Sequence, residues 1–342
     1  MKAIINKYKK IRKQNFLKKK YTSKYAFVGI GNHSINNLYP VLNYLNVDLK
    51  YIVSGSNETA MSVSENFNNT TGTTDLDLVL NDPEINGVFI CANPDSHFAL
   101  TKKVLEKGKN VFVEKPPCKT IDELKELIEI EKKSTGFLLA GLQKRYTPVY
   151  QILKSKIKKA TNYTLKYYTG SYPEGNPVLD LFIHPIDVAA YLFGEGSLVS
   201  IQKTESGKGA VNYFLHIKHK NGTIGNIELS SDYWWAKANE SLHANTDKFI
   251  FESTNTDKLV CYNKPKQILN IPIEKIKTPE ISIKTLYEHN RFLPVASQNE
   301  LFSAGYFNEL KTFLNLCENH KTKNNSELSS LINTYDLLSK IK

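Results

Sequence analysis

The chain has 342 residues, 41% of them hydrophobic, and a formal net charge of +11. A chain of this size and composition can bury a large core and fill two domains of ordinary size; no apolar run approaches the roughly 20 residues of a membrane span, and the N-terminus lacks the apolar segment of a signal peptide. Ten of the 45 lysines and arginines lie in residues 1 to 24, where there is no acid, so the remainder holds 35 basic against 34 acidic side chains and offers no basic body for a nucleic acid.

Taken in order, residues 1 to 24 form a basic tail with one weak apolar stripe, Ile4, Tyr8 and Ile11. A solvated tail, dispensable for catalysis, is expected; the alternative is an arm packed on a neighbouring subunit or an anionic membrane surface. Order is expected from Tyr25. The run Tyr25 to Ser34 reads as a strand, then Gly29-x-Gly31, then a helix carrying Leu38, Val41, Leu42 and Leu45. In that order Gly29 makes the tight turn, Gly31 lets the backbone approach a pyrophosphate at the helix start, and Ser34 stands where a third glycine is usual. A second strand, Leu49 to Val53, ends in Ser54-Gly55-Ser56-Asn57, without the acidic ribose ligand. Hydroxyls and an amide there can donate to a 2′-phosphate, which tilts the choice between NAD and NADP towards NADP. A third unit runs from Leu78 through the strand Gly87 to Cys91, the turn Ala92 to His97, and a helix ending near Lys107-Gly108.

Next comes Val111 to Cys118, V-F-V-E-K-P-P-C. Val111, Phe112 and Val113 make the continuous apolar run of a strand buried on both faces, and polar residues begin abruptly at its carboxyl end, where open α/β sheets bind ligands. Lys115 lies there between Glu114 and two prolines. Strands alternate with helices from residue 25 to about 140, the pattern of a doubly wound parallel sheet.

From Ser155 to about Glu300 the pattern changes to short strands: 163–168, 198–202, 210–219, 225–230, 248–252 and 259–262, with Asn221-Gly222 as a hairpin signal. Tyr233, Trp234 and Trp235 are read as core or interface aromatics, or else as a sugar-stacking wall. Residues 301–342 read as two helices packing back on the body, with Phe307, Leu310, Phe313 and Leu314 on one face and then Leu328, Leu331, Ile332 and Leu337. Cys91, Cys118, Cys261 and Cys317 form neither a C-x-x-C pair nor a disulfide ladder, which suits the cytoplasm. No spacing signals a metal site.

Gly29-x-Gly31, Asn93 to His97, Glu114-Lys115-Pro116, Gly141-Leu142-Gln143-Lys144-Arg145-Tyr146 and Asp180-x-x-x-His184-x-x-Asp187 together resemble the ordered motifs of the Gfo/Idh/MocA oxidoreductases. The resemblance covers the chain from residue 25 onwards. It implies an N-terminal Rossmann domain (25–145), a substrate-binding and oligomerisation domain on an open, mainly antiparallel sheet (146–300), and C-terminal helices (301–342). It also implies NAD or NADP as cofactor, a sugar, sugar nucleotide or cyclitol as substrate, and a homodimer or homotetramer. Gly29, Gly31, Asn32, His33, Ser54, Ser56, Asn93, His97, Glu114 and Lys115 are expected along the cofactor, and Lys115, Arg145, Asp180 and His184 along the substrate. Two stretches depart from the pattern: Ala92-Asn93-Pro94 replaces the usual T-P-N, and the approach to Asp180 is the thin Glu174-Gly175-Asn176-Pro177.

Asp180 and His184 are four apart and share one face if their segment is helical, although Pro185 is comfortable only near a first turn. Oxidising a secondary alcohol needs a hydride acceptor and a base, and Lys115 and His184 are assigned the proton work with Asp180 orienting them. Which of the two is the base stays open, and a core histidine is the other reading of His184. The expected function is hydride transfer; the alternative is a non-catalytic dinucleotide sensor or partner-binding protein on the same fold.

Overall fold

The computed structural model describes residues 1–342 apart from 18, 19, 207, 208, 270, 279, 294, 296, 297 and 342, and gives only the backbone for 12–17. A first helix, α1 (Lys2–Leu17), precedes the alternating unit β1 (Lys24–Val28), α2 (Tyr39–Tyr44), β2 (Asp48–Val53), α3 (Asn57–Ser64), β3 (Thr71–Thr73), α4 (Leu76–Asn81), β4 (Ile85–Ile90), α5 (Pro94–Glu106), β5 (Asn110–Glu114), α6 (Ile121–Lys133) and β6 (Leu138–Gly141). All neighbouring pairs are parallel, in the order β3-β2-β1-β4-β5-β6. The doubly wound sheet is therefore present, with its switch point between β1 and β4. A π-helical turn, Ser34–Leu38, leads into α2 directly before Pro40, which cannot donate to the residue four back.

The continuous apolar strands bury two different faces. Alternation puts Tyr25, Phe27, Phe89, Phe112 and Leu139 on one side, and Ala26, Val28, Val88, Ile90, Val111, Val113, Leu138 and Ala140 on the other. The aliphatic side is covered by α4, α5 and α6. The aromatic side is closed by α2 and by a helix from the far end of the chain.

Beyond α7 (Pro148–Lys156), the second domain contains β7 (Ala160–Gly170), α8 (Pro177–Asp180), α9 (Ile183–Phe193), β8 (Gly196–Glu205), β9 (Val211–His219), β10 (Ile224–Tyr233), β11 (Asn239–Thr246), β12 (Phe249–Thr254), β13 (Lys258–Asn263), a two-residue hairpin β14 (Gln267–Ile268) and β15 (Ile271–Pro272), and β16 (Ile283–Glu288). The large sheet has the order β16-β13-β12-β11-β7-β10-β9-β8 and is antiparallel except between β7 and β10. Gly222, at φ +90°, makes the expected turn between β9 and β10. Two strands of this large sheet lie where the sequence pattern predicts none. In β11 the inward positions are Glu240, Leu242, Ala244 and Thr246, too polar to read as an alternating strand, and β16 is a mostly exposed edge.

The chain closes with α10 (Glu300–Ser303), α11 (Tyr306–Cys317) and α12 (Ile332–Ser339). Leu310, Phe313 and Leu314 of α11 seal the aromatic face of the first sheet, where Phe313 meets Phe89 edge-on at 5.0 Å and Phe112 at 6.0 Å. Such ring pairs contribute about 0.5–1.5 kcal/mol beyond area burial. α12 packs on α6 and α9; Ile332, expected on its inner face, is 41% exposed.

The tail divides. Residues 1–11 are exposed, but Tyr21 is fully buried, so order begins four residues before Tyr25. The Tyr21 hydroxyl donates to Asn315 at 3.1 Å, and Glu318 accepts from the N–H groups of Thr22 (2.8 Å) and Ser23 (2.7 Å). Burial pushes the Glu318 carboxyl up, but these bonds outweigh it and hold it below the usual range. We predict that deleting residues 2–11 leaves the urea midpoint unchanged, whereas Tyr21→Ala costs about 3 kcal/mol in the same denaturation experiment, the scale of emptying a buried aromatic site.

Candidate functional site

The carboxyl ends of β1, β4 and β5 meet at the switch point. Gly29 follows β1 at φ +98°, and a Cβ there would stand 2.3 Å from the Cys91 carbonyl oxygen and 2.6 Å from Ala92 Cα. Only glycine fits both the angle and the space. At Gly31 the reverse holds: a Cβ would meet no protein atom within 4 Å, so a side chain there would project into the space over the helix start. Ser34, fully buried, accepts from the Gly31 N–H at 2.9 Å and locks the turn. This glycine pair fits a dinucleotide laid across the turn.

Glu114, at the end of β5, is 4% exposed. One oxygen accepts from the Lys115 N–H at 3.1 Å, and the other lies 3.3 Å from His33 Nε2. Burial pushes its carboxyl up, but His33, Lys115 and His97 outweigh it, and Glu114 stays ionised. Across from it, Glu309 of α11 is fully buried with neither oxygen hydrogen-bonded. Burial first, then the charge of Glu114, drive the Glu309 carboxyl well above the usual range, which favours its protonated form. Tyr306, its ring 5.5 Å from that of His33, completes this wall.

Lys115 crosses to the second domain, where its Nζ donates to the Asp180 carbonyl at 2.9 Å. The Asp180 carboxylate itself turns away and accepts from the Asn176 N–H at 2.9 Å. The expected role of that carboxylate as orienter of Lys115 and His184 is therefore corrected: the backbone carbonyl holds the ammonium. Nor do Asp180 and His184 share a helix. The chain breaks between α8 and α9, and Pro185 falls in the first turn of α9, where its missing N–H costs nothing. His184 is 7% exposed, with Nδ1 unpartnered. Burial, then the charges of Lys115, Lys144 and His33, hold its imidazole well below the ordinary 6.5, so it is neutral at pH 7.

Arg145, expected at the substrate, is instead a buried clamp. Its Nε and Nη2 donate to the two Asp187 oxygens at 2.8 and 2.5 Å, and Nη1 donates to the Asn325 carbonyl at 2.7 Å and to Ser330 Oγ at 2.6 Å. With the side chain 2% exposed, its Nε and both terminal nitrogens are taken up inside the protein. The neighbouring Lys144 is the cation that faces the seam. Its Nζ lies 2.5 Å from Glu240 Oε2 and 5.5 Å from the centre of the Tyr167 ring; Tyr150 donates to the other Glu240 oxygen at 2.6 Å. Burial opposes the Lys144 charge, but Glu240 and Tyr167 more than offset it and hold its pKa above the ordinary value. Lys144, Tyr167, Thr169, Trp235, Asn239 and Glu240 line a cavity of about 280 Å³. Tyr233, Trp234 and Trp235 are 48%, 66% and 54% exposed, which removes the core reading. Lys144 was visible in the motif beside Arg145, but Glu240 was hidden in the unpredicted β11, and nothing in the sequence around Tyr306 or Glu309 marks them.

Three other expected cofactor residues have internal partners. Ser56 caps α3, accepting from the Thr59 N–H at 3.1 Å, and its hydroxyl lies 2.8 Å from that of Thr59. Asn93 caps α5 through the Asp95 N–H at 3.0 Å. His97, 1% exposed, has its ring nitrogens 2.8 Å from the Pro116 carbonyl and 3.0 Å from that of Ala92, so it ties the loops after β4 and β5 together. Ser54 follows β2, its N–H bonded to the Thr73 carbonyl at 3.2 Å, and Asn32 opens the helix after Gly31.

A doubly wound sheet with glycine at both critical places of its switch-point turn, joined to a second domain that brings His184 to the seam, defines a two-domain Rossmann protein with a dinucleotide cradle. Residues 23–142 match the Gfo/Idh/MocA family model, described as an oxidoreductase family with an NAD-binding Rossmann fold. It is similar to YhhX, an uncharacterized oxidoreductase of Escherichia coli K12, at 48% identity over 73 residues, 21% of each protein. It is also similar to scyllo-inositol 2-dehydrogenase (NAD(+)) of Bacillus subtilis 168, at 29% identity over 44% of this chain and 50% of that one. The chain thus spans half or less of the length of these two curated relatives. A solved dehydrogenase structure from Chromobacterium violaceum shares the fold with a TM-score of 0.77 over 93% of both chains at 20% identity. No helix among the described residues is long and apolar enough to cross a membrane.

For the clamp, Arg145→Met is expected to cost about 3–5 kcal/mol in denaturant unfolding by stranding the buried Asp187 carboxylate, with part of the loss recovered in the Arg145→Met/Asp187→Leu double variant.

Proposed function

We propose that the chain is an NAD(P)-dependent oxidoreductase acting on a hydroxyl- or keto-bearing carbon of a sugar, sugar nucleotide or cyclitol. The observation that carries this reading is the pairing, at one seam, of the Lys115 ammonium with a neutral, unpartnered His184, beside the Gly29–Gly31 turn. Gly29, Gly31, Asn32 and His33 would hold the dinucleotide, whose nicotinamide supplies or takes up the hydride when bound. Lys115 spends one of its three N–H bonds on Asp180 and keeps two to polarise the substrate oxygen as charge develops there. His184, already deprotonated, accepts the hydroxyl proton in oxidation and returns it in reduction. Lys144, Glu240 and Trp235 form the wall that meets the rest of the ring, and the inositol dehydrogenase among the relatives supports a polyhydroxylated ring as substrate. The outward-facing Val199, Phe214 and Ile224 of the large sheet support association of copies as a homodimer or homotetramer, and four free cysteines support a cytoplasmic setting.

With a panel of cyclitols, sugars and nucleotide sugars and both cofactors, nicotinamide absorbance is expected to reveal turnover in the wild type. Lys115→Met and His184→Asn each lower kcat by about 10² or more with cofactor binding retained, and the double variant loses much less than the product of the two. Equal rates in wild type and Lys115→Met would remove the catalytic assignment; cofactor binding with no turnover in the wild type would favour a sensor.

Two further outcomes are expected. A loop after β2 without a carboxylate at Ser54 or Ser56 favours tighter binding of NADP than of NAD in fluorescence titrations. Because His184 in the folded chain refuses the proton that an unfolded histidine takes up near pH 6.5, its neutral form favours folding above that pH, and stability declines as the pH falls below it; His184→Asn should flatten this decline in denaturation at pH 5 to 7.

A further inference from the structure

Away from the seam, the turn after β12, the end of β16 and the start of α10 converge on a second polar cluster. Asp257, His289 and Glu300 bring one ligand atom each within 4.8 Å of one another, the one such grouping of three among the described residues. The His289 side chain is 2% exposed. Its Nε2 lies 2.8 Å from the Gln298 carbonyl oxygen. A carbonyl only accepts, so Nε2 carries the proton and the neutral ring keeps its lone pair on Nδ1. That Nδ1 has no hydrogen-bond partner, and it faces Asp257 Oδ1 at 3.4 Å and Glu300 Oε1 at 3.9 Å. Three electron-rich atoms turned towards one point repel unless a positive charge sits between them, and a histidine whose other nitrogen donates to a backbone carbonyl is the usual form of a metal ligand.

We propose that Asp257, His289 and Glu300 bind one divalent transition-metal ion of the zinc or manganese type. One imidazole and two carboxylates suit these ions, whereas calcium and magnesium favour all-oxygen sets. Three protein ligands leave the remaining positions to water. Arg291 flanks the site, with Nη2 2.9 Å from Asp257 Oδ2 and Nε 3.4 Å from Glu300 Oε1. Asp257 therefore gives one oxygen to Arg291 and turns the other inward. The guanidinium is 67% exposed and free to swing from Glu300, but its charge opposes a cation. The ion would fasten the β12–β13 turn and β16 to α10, directly ahead of the helix that seals the first domain. Separations of 32 and 11 residues along the chain match no metal-binding spacing, which is why the sequence does not announce the site.

The test uses the full-length protein, stripped with EDTA, dialysed, and titrated calorimetrically with zinc chloride and with manganese chloride while thermal unfolding is followed in parallel. One equivalent per chain is expected, with a raised Tm. Asp257→Asn and Glu300→Gln should each weaken binding about tenfold or more, and Arg291→Ala should tighten it. Glu300 is 66% exposed, so Glu300→Gln does not endanger the fold and keeps the test clean. Absence of binding up to millimolar metal, or affinities unchanged in both ligand variants, would overturn the site.

Discussion

The Lys115 ammonium is anchored at the end of a Rossmann strand, yet its hydrogen bond, 2.9 Å long, is to a carbonyl of the second domain. Much of the seam follows from that one contact. It places a fixed positive charge beside the buried His184, and a buried imidazole near a cation cannot easily take a proton. Because the carbonyl of Asp180 does this work, its carboxylate is released to hold the 172–176 loop through the Asn176 N–H. The break between α8 and α9 serves the same end: a continuous helix would have tied up the Asp180 carbonyl within its own ladder.

Opposite charge is distributed so that the cations do not repel one another out of the cleft. Glu240 neutralises Lys144, and Glu114, buried at the end of β5, sits beside His33 and the Lys115 backbone. Two interacting buried carboxyls do not readily ionise together, and the burden falls on Glu309, which lacks any donor, while Glu114 accepts from the Lys115 N–H and faces His33. The result is a seam with one carboxyl pushed towards its protonated form, one neutral imidazole and anchored ammonium groups.

The first domain is not a self-contained segment of the chain. Its aromatic face, Tyr25, Phe27, Phe89 and Phe112, is closed only when α11 returns with Phe313, and the same helix delivers Tyr306 and Glu309 over the glycine turn. Tyr21 and Glu318 lock that return at its other end. Packing and chemistry are thereby coupled: loosening α11 exposes the aromatic core and displaces a wall of the cleft together.

Local signals in the sequence determined the alternation of buried strands and helices from residue 25, the Gly29 and Gly31 turn, Lys115 at a strand end and the Asn221-Gly222 hairpin, because backbone conformation and two-face burial are written in adjacent residues. Side-chain partners are not. Arg145 reads as the substrate residue of its motif while Lys144 beside it goes unassigned, and only the tertiary structure buries the first against Asp187 and turns the second towards Glu240. Asp180 and His184 read as one helical face, and only the break after α8 separates carboxylate from carbonyl. Strand β11 is not legible as an alternating strand because half of its inward positions are polar: Glu240 is satisfied by Lys144 and Tyr150 from elsewhere in the fold, and Thr246 by Phe249 across the adjacent turn. What a charged side chain does depends on which charges reach it through a low-dielectric interior, and that is decided by residues distant in the chain.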